Sequence, residues 1–371
     1  MALSERDRFL RYMNFQSVDR IPLMEMGFWS ETFERWYHEG LPRWVTHDRH
    51  LEAHLGLDLS FNRNWLPIND ALYPPLEPRV LEDRENEQVL SDENGVVYRQ
   101  QKQHRTIPQY IRFPVEDEAD YERLLPRLNG VHPGRYADDF DEDLHWRRQR
   151  GEIVGVHFRS FFGFPRALMG LQGWCMAFYD QPHLVRRMIA DRVRFAKELL
   201  QRVLATGTLD FVQVWEDMAF KTASLISPQL VRQYMLPAYE ELVDVLRRGG
   251  VKLIMVDCDG RIDALLPIWL EAGIDGAHPC EVAAGSDPVE LRRQYPGCRL
   301  MGGLDKRAIA SGREGVDAVL RHVQPLLQEG AYIPFLDHFV PPDVSYDTYL
   351  YYLERRQALL TLGPNSTDAA R

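Results

Sequence analysis

From about residue 150 onward the sequence alternates short β-rich runs with long amphipathic stretches, and no other feature constrains the fold as much. The runs are "EIVGVHF" (152–158), "DFVQVWE" (210–216), "KLIMVD" (252–257), "GAHPCE" (276–281), "RLMGGLD" (299–305) and "AYIPFLD" (331–337). Between them lie stretches such as "PHLVRRMIADRVRFAKELLQRVLA" and "GVDAVLRHVQPLLQEG", with apolar residues at helical spacing. Connections of this length exclude hairpins and imply parallel strands with crossover helices.

Two earlier runs, "IPLMEMG" (21–27) and the shorter, half-polar "GLDLSFN" (56–62), bring the set to eight. The expected fold is therefore α/β, a (β/α)₈ barrel with an N-terminal helical extension. Between the second and third strands, "RVLEDRENEQVLSDENGVVYRQQ" reads as a β-hairpin or meander, turning at Glu85–Asn86 and at "DENG". It belongs to an insertion of about 63–150 over one barrel face, within a single domain spanning 1–360. The polar end, 361–371, reads as a flexible tail.

Catalytic groups of such barrels sit at the C-terminal ends of strands, and five successive strands end on Glu216, Asp257, Glu281, Asp305 and Asp337. Any one of these could be a helix N-cap. Five together imply a shared mouth that binds a cation, pairs with bases, or holds a proton at raised pKa. His157, Arg159, His278, Lys306, Arg307 and His338 are the nearby counter-groups. Trp29 and the ring-rich "FRSFFGFPR" (158–166), which includes Phe161, suit an apolar or aromatic substrate. In "VDCDG" (256–260) strand alternation turns Cys258 away from Asp257 and Asp259, leaving the two acids as the working residues.

Composition removes other classes. The net charge of −11 leaves no basic face for nucleic acid, and "WRRQR" (146–150) reads as a solvated helix face. Four scattered cysteines without a CxxC pair indicate neither a disulfide scaffold nor a zinc ribbon. Without a signal-peptide core or membrane span, a cytoplasmic protein is expected.

The segments "SERDRFLRYMNFQSVDRIPL" (4–23), "DGRIDALLPIWLEAGIDGAHPCEVAAGSDP" (259–288), "MGGLDKRAIASG" (301–312) and "DHFVPPDVSYDTYLYYLE" (337–354) resemble uroporphyrinogen decarboxylase-like proteins, which include zinc methyltransferases acting on corrinoid proteins. The resemblance implies a (β/α)₈ barrel and a homodimer. Haem-pathway decarboxylases carry an arginine pair after the first strand; here "MEMGFWSETFER" has no arginine before Arg35, which argues against a polycarboxylate tetrapyrrole substrate.

Laid on the methyltransferase branch, the metal positions become Asp257, Asp259, Glu281 and His338. No thiolate is kept, so zinc or a harder divalent ion with an open water position is the implied cofactor. The resemblance thus implies a metal-dependent methyltransferase, moving methyl from a small methoxylated or methylated substrate to a corrinoid protein. Glu216, Asp337 and His338 are its candidate catalytic groups, and Arg159, Trp29, Phe161 and Lys306 its candidate substrate contacts. The alternatives are a decarboxylase or lyase, with Arg159 or Lys306 orienting a carboxylate and His338 giving the proton, and a non-catalytic tetrapyrrole- or corrinoid-binding barrel.

Overall fold

A computed structural model describes residues 3–58, 65–102, 108–207 and 209–361. The described residues form a six-stranded parallel sheet and a four-stranded antiparallel one. In the parallel sheet, β5 (Gly155–Arg159), β6 (Phe211–Trp215), β7 (Leu253–Asp257), β8 (Gly276–His278), β9 (Arg299–Met301) and β10 (Tyr332–Ile333) lie side by side in chain order. Five of the six lie within the expected runs, and β5 extends one residue past its run, to Arg159. Their outward residues, such as Val212, Val214, Ile254 and Val256, are wholly buried beneath helices.

The helices follow from local chemistry. Pro182–Ala205 starts with proline at its first position, where no amide hydrogen is needed, and buries Leu184, Val185, Met188, Ile189, Leu199, Leu200 and Val203 at helical spacing. The stretch 227–250 divides into helices Pro228–Tyr234 and Leu236–Arg248, with proline in the first turn of each. Ser227 caps the first by accepting from Leu230 N at 3.2 Å. Among the described residues no helix is long and apolar enough to cross a membrane.

The remaining wall is joined by individual contacts. The run 21–27 is extended and forms no ladder among the described residues; Val340 N donates to Gly27 O at 2.9 Å, and Phe28 bridges Val340 in parallel. Asp58 N donates to Leu23 O at 2.9 Å, and Leu66 N to Gly155 O at 2.8 Å, which returns the wall to β5. Most of the expected second strand, and the tail, lie outside the described residues. Arg356 fastens this side from the C-terminal helix (Tyr346–Thr361): its Nη1 lies 2.7 Å from Glu25 Oε1, with both side chains fully buried.

The insertion carries the antiparallel sheet, β1 (Arg79–Asp83), β2 (Glu87–Ser91), β3 (Val97–Gln101) and β4 (Gln109–Arg112), in simple meander order. The turn after β2 closes through Asp92 Oδ1, which accepts from Asn94 N and Val96 N at 2.9 Å each. Asp70 ties the insertion to the barrel, accepting from Arg159 Nη2 at 2.9 Å and Arg192 Nη2 at 2.8 Å.

Candidate active site

Four strand ends stand in register: Arg159 beside Trp215, Trp215 beside Asp257, and Asp257 beside His278. One step deeper, His157 stands beside Gln213 and Gln213 beside Met255. Side chains alternate along a strand, so His157, Gln213, Asp257 and His278 share one face of the sheet. That face is the barrel lumen.

Asp257 is 7 % exposed; its Oδ2 accepts from Gln213 Nε2 at 2.6 Å and lies 3.9 Å from His157 Nε2. Burial, reinforced by the charges of Asp259 and Asp217, pushes its pKa well above the usual carboxylate range. Burial acts in the opposite direction on the imidazoles: it lowers His157 and takes His278 down to about 3. Burial thus favours the uncharged form of all three groups, the carboxyl of Asp257 and the imidazoles of His157 and His278. Trp65 packs near His157, with ring centres 5.7 Å apart.

The rim lies one turn higher. Asp259 Oδ2 is 3.5 Å from His338 Nε2, and the His338 ring lies parallel to Trp29 with centres 5.6 Å apart. Trp29 is 44 % exposed, a large ring offered at the mouth. Asp217 orients Asp259 by accepting from its backbone N at 3.3 Å, and Arg166 holds Asp217 at 3.0 Å. Asp217 has φ 48°, an unfavourable conformation for a residue with a side chain. Gly260, at φ +86°, must be glycine, because a Cβ there would stand 2.8 Å from the Ala219 carbonyl carbon.

On the far side of the mouth, Lys306 Nζ lies 3.1 Å from Asp337 Oδ1 and 3.8 Å from Glu281 Oε1. Asp337 is fully buried and also accepts from the backbone of Val282 and Lys306, each at 3.1 Å. Glu281 Oε2 accepts from Gly260 N at 3.0 Å. These two acids fasten strand ends and loops together. Asp305 is a helix N-cap, accepting from Arg307 N at 2.9 Å.

The four positions implied as metal ligands do not converge. Asp259 and His338 form a pair, Glu281 and Asp337 share the ammonium of Lys306, and Asp257 faces Gln213. Among the described residues no group of three or more His, Cys, Asp or Glu is disposed to hold a metal ion. A cationic side chain already stands among the acids, and the donor set as placed does not fit a divalent ion.

Two expected site residues are placed elsewhere, and a third, on the lumen face, already has a partner. Glu216 has the opposite parity to Trp215 and is fully buried behind the sheet. Its oxygens accept from the amides of Phe161, Phe162 and Gly163 at 3.1, 2.7 and 3.0 Å, at the start of helix Gly163–Asp180. Phe161 is packed against Tyr239, with ring centres 5.0 Å apart, and does not reach the lumen. Arg159 is engaged by Asp70.

Gln213 and Trp65 escaped the sequence reading, and His157 entered it only as a counter-charge. A signal existed: Gln213 in "FVQVW" and His157 in "VGVHF" are polar residues inside apolar strands, two places before the strand end.

A model of the family Uroporphyrinogen decarboxylase (URO-D) matches residues 162–358. No curated protein matches the sequence. Among solved structures, a methyltransferase from Methanosarcina mazei superposes with a TM-score of 0.56 at 10% sequence identity, covering 96% of this chain and 98% of that one. A Listeria monocytogenes chain described as a vitamin-B12-independent methionine synthase gives a TM-score of 0.36 at 11% identity, covering 60% of this chain and 69% of the other. The first likeness concerns the fold. With a family match over more than half of its length, and a parallel sheet in the expected order, the chain is a (β/α)₈ barrel protein of the uroporphyrinogen decarboxylase family.

Proposed function

We propose that the protein is a methyl-transferring enzyme, taking methyl from a small methoxylated or methylated substrate and passing it to a corrinoid carried by a partner protein. The observation that carries this reading is the lumen acid Asp257, 7 % exposed and hydrogen-bonded by Gln213, whose burial raises its pKa and favours the protonated form. Methyl leaves such a substrate by breaking its bond to oxygen or nitrogen. The bonding pair stays on that heteroatom, which is a poor leaving group unless it gains a proton as the bond breaks.

Asp257 supplies that proton, and the neutral His157 at 3.9 Å is placed to return one from solvent. Gln213 fixes the carboxyl orientation through its 2.6 Å hydrogen bond. Asp259 holds His338 at the rim, and Trp29 lies over His338 as a flat apolar wall for the substrate. In this reading the proton on Asp257 performs the activation for which the resemblance implied a metal.

The charge arrangement favours a neutral or cationic substrate over a small carboxylate. Arg159, Arg166, Lys306 and Arg307 are paired with Asp70, Asp217, Asp337 and Asp305 respectively. A decarboxylase would have to break one of these pairs to seat its substrate.

The test is methylation of free cob(I)alamin, followed by its absorption spectrum, with a panel of methoxylated and methylated small molecules. Methylcobalamin should form with wild type and fall about 10²-fold or more with Asp257→Asn, in line with the loss of a general acid. Equal rates in the two proteins, or no methylation from any member of the panel, would sink the reading.

A further inference from the structure

We infer that the lumen selects substrates carrying a hydrogen-bond donor, an O–H or N–H, beside the group that is transferred, and that Gln213 Oε1 receives it. The inference rests on the lumen being the substrate site and adds the chemical class that fits there.

Gln213 sits in the middle of β6, between His157 on β5 and Met255 on β7. Its neighbours in sequence, Val212 and Val214, are fully buried on the other face of the sheet. Gln213 itself is only 4 % exposed. Its Nε2 donates to Asp257 Oδ2 at 2.6 Å, but Oε1 is buried and accepts no hydrogen bond among the described residues. A buried amide oxygen left in that condition costs about 1–3 kcal/mol. The cost is recovered only when a donor enters the lumen.

A bound substrate that meets the oxygen without a donor leaves it unsatisfied and loses affinity. A ligand offering only ether oxygens or a carboxylate places acceptor against acceptor. One offering a hydroxyl or N–H restores the bond with its transferred group held close to Asp257. Rejection of the wrong ligand thus comes from the unsatisfied oxygen as much as attraction of the right one. If the Gln213 amide were turned over, its NH₂ would face the lumen and the selection would reverse.

The experiment compares ligands that differ by one donor, using calorimetric titration of the full chain with 2-methoxyphenol against 1,2-dimethoxybenzene, and with 2-methoxyethanol against 1,2-dimethoxyethane. The donor-bearing member should bind about tenfold tighter or more. Gln213→Met, checked for folding by circular dichroism, should bind the two members equally, and the diether more tightly than the wild-type protein does. Gln213→Glu, which keeps an acceptor, should retain the preference.

Equal affinities, a preference for the diether, or no binding in either pair overturns the inference, and the wild-type comparison decides even if a variant fails to fold. Methyl transfer is measured separately. Discrimination without transfer leaves this inference standing and removes the proposed reaction; transfer without discrimination does the reverse.

Discussion

Lys306 Nζ lies 3.1 Å from Asp337 Oδ1 and 3.8 Å from Glu281 Oε1, so two carboxylates share a single ammonium at the barrel mouth. Asp337 is fully buried, and removing its only ionic partner among the described residues leaves an uncompensated charge. Lys306→Met should destabilise the protein by about 3 kcal/mol, measured by urea unfolding. A loss below about 0.5 kcal/mol, the scale of an exposed pair, would contradict this assignment.

The same ammonium bears on metal content. Protein purified without chelator should contain no stoichiometric divalent ion by elemental analysis, and Asp259→Ala and His338→Ala should leave the content unchanged. One equivalent of metal, lost in both variants, would show that the acids and His338 rearrange into the ligand set the family resemblance implied.

The raised pKa of Asp257 sets opposite signs for stability and activity. Because the folded carboxyl keeps a proton that the unfolded chain releases near pH 4, stability should decline as pH rises from there toward the folded pKa. Asp257→Asn should remove that decline, leaving a variant more stable than wild type at neutral pH but inactive. Wild-type activity should fall on the alkaline side, as the proton is lost. Parallel stability–pH curves for the two proteins would refute the protonated state.

Asp70 titrates the other way. Burial alone would raise its pKa, but Arg159 and Arg192 draw it down to about 2. Its contribution is fully present above pH 4 and is lost as pH falls through about 2. Asp70→Asn should therefore unfold with a shallower acid dependence between those values, and should loosen the insertion, detected as earlier proteolysis within 70–150. An unchanged acid slope would show that the pairing contributes nothing.

Glu216 offers a test of placement. Glu216→Gln puts an NH₂ against a set of backbone donors and should cost about 1–3 kcal/mol while substrate KM changes less than about twofold. A large change in KM with little loss of stability would return Glu216 to the substrate site.

The sequence was most informative where one element decides its own structure. The β5–β10 runs were legible because apolar strands and long amphipathic helices alternate, and Asp257 because it ends such a run. Asp305 as a cap needed only its own neighbours. The pairing of Arg159 was not legible because its partner, Asp70, lies 89 residues away in the insertion, a distance that no local pattern spans. Glu216 and Phe161 misled for a different reason. Both stand by a strand end, but parity and the following turn direct them outward, and proximity to the mouth was given more weight than direction. The run 21–27 has strand composition without a ladder among the described residues, and one of its fastenings, the pair Glu25–Arg356, is too long-range for a local pattern to show.

That uneven wall gives the barrel a compliant sector. From β5 to β10 successive strands share ladders, whereas Gly27–Val340, Leu23–Asp58 and Gly155–Leu66 are held by isolated backbone bonds. Deuterium should reach the amides of Gly27, Phe28, Asp58 and Leu66 well before those of β6 and β7. The protein can thus yield on the Trp29 side while the strands that carry Gln213 and Asp257 keep their alignment.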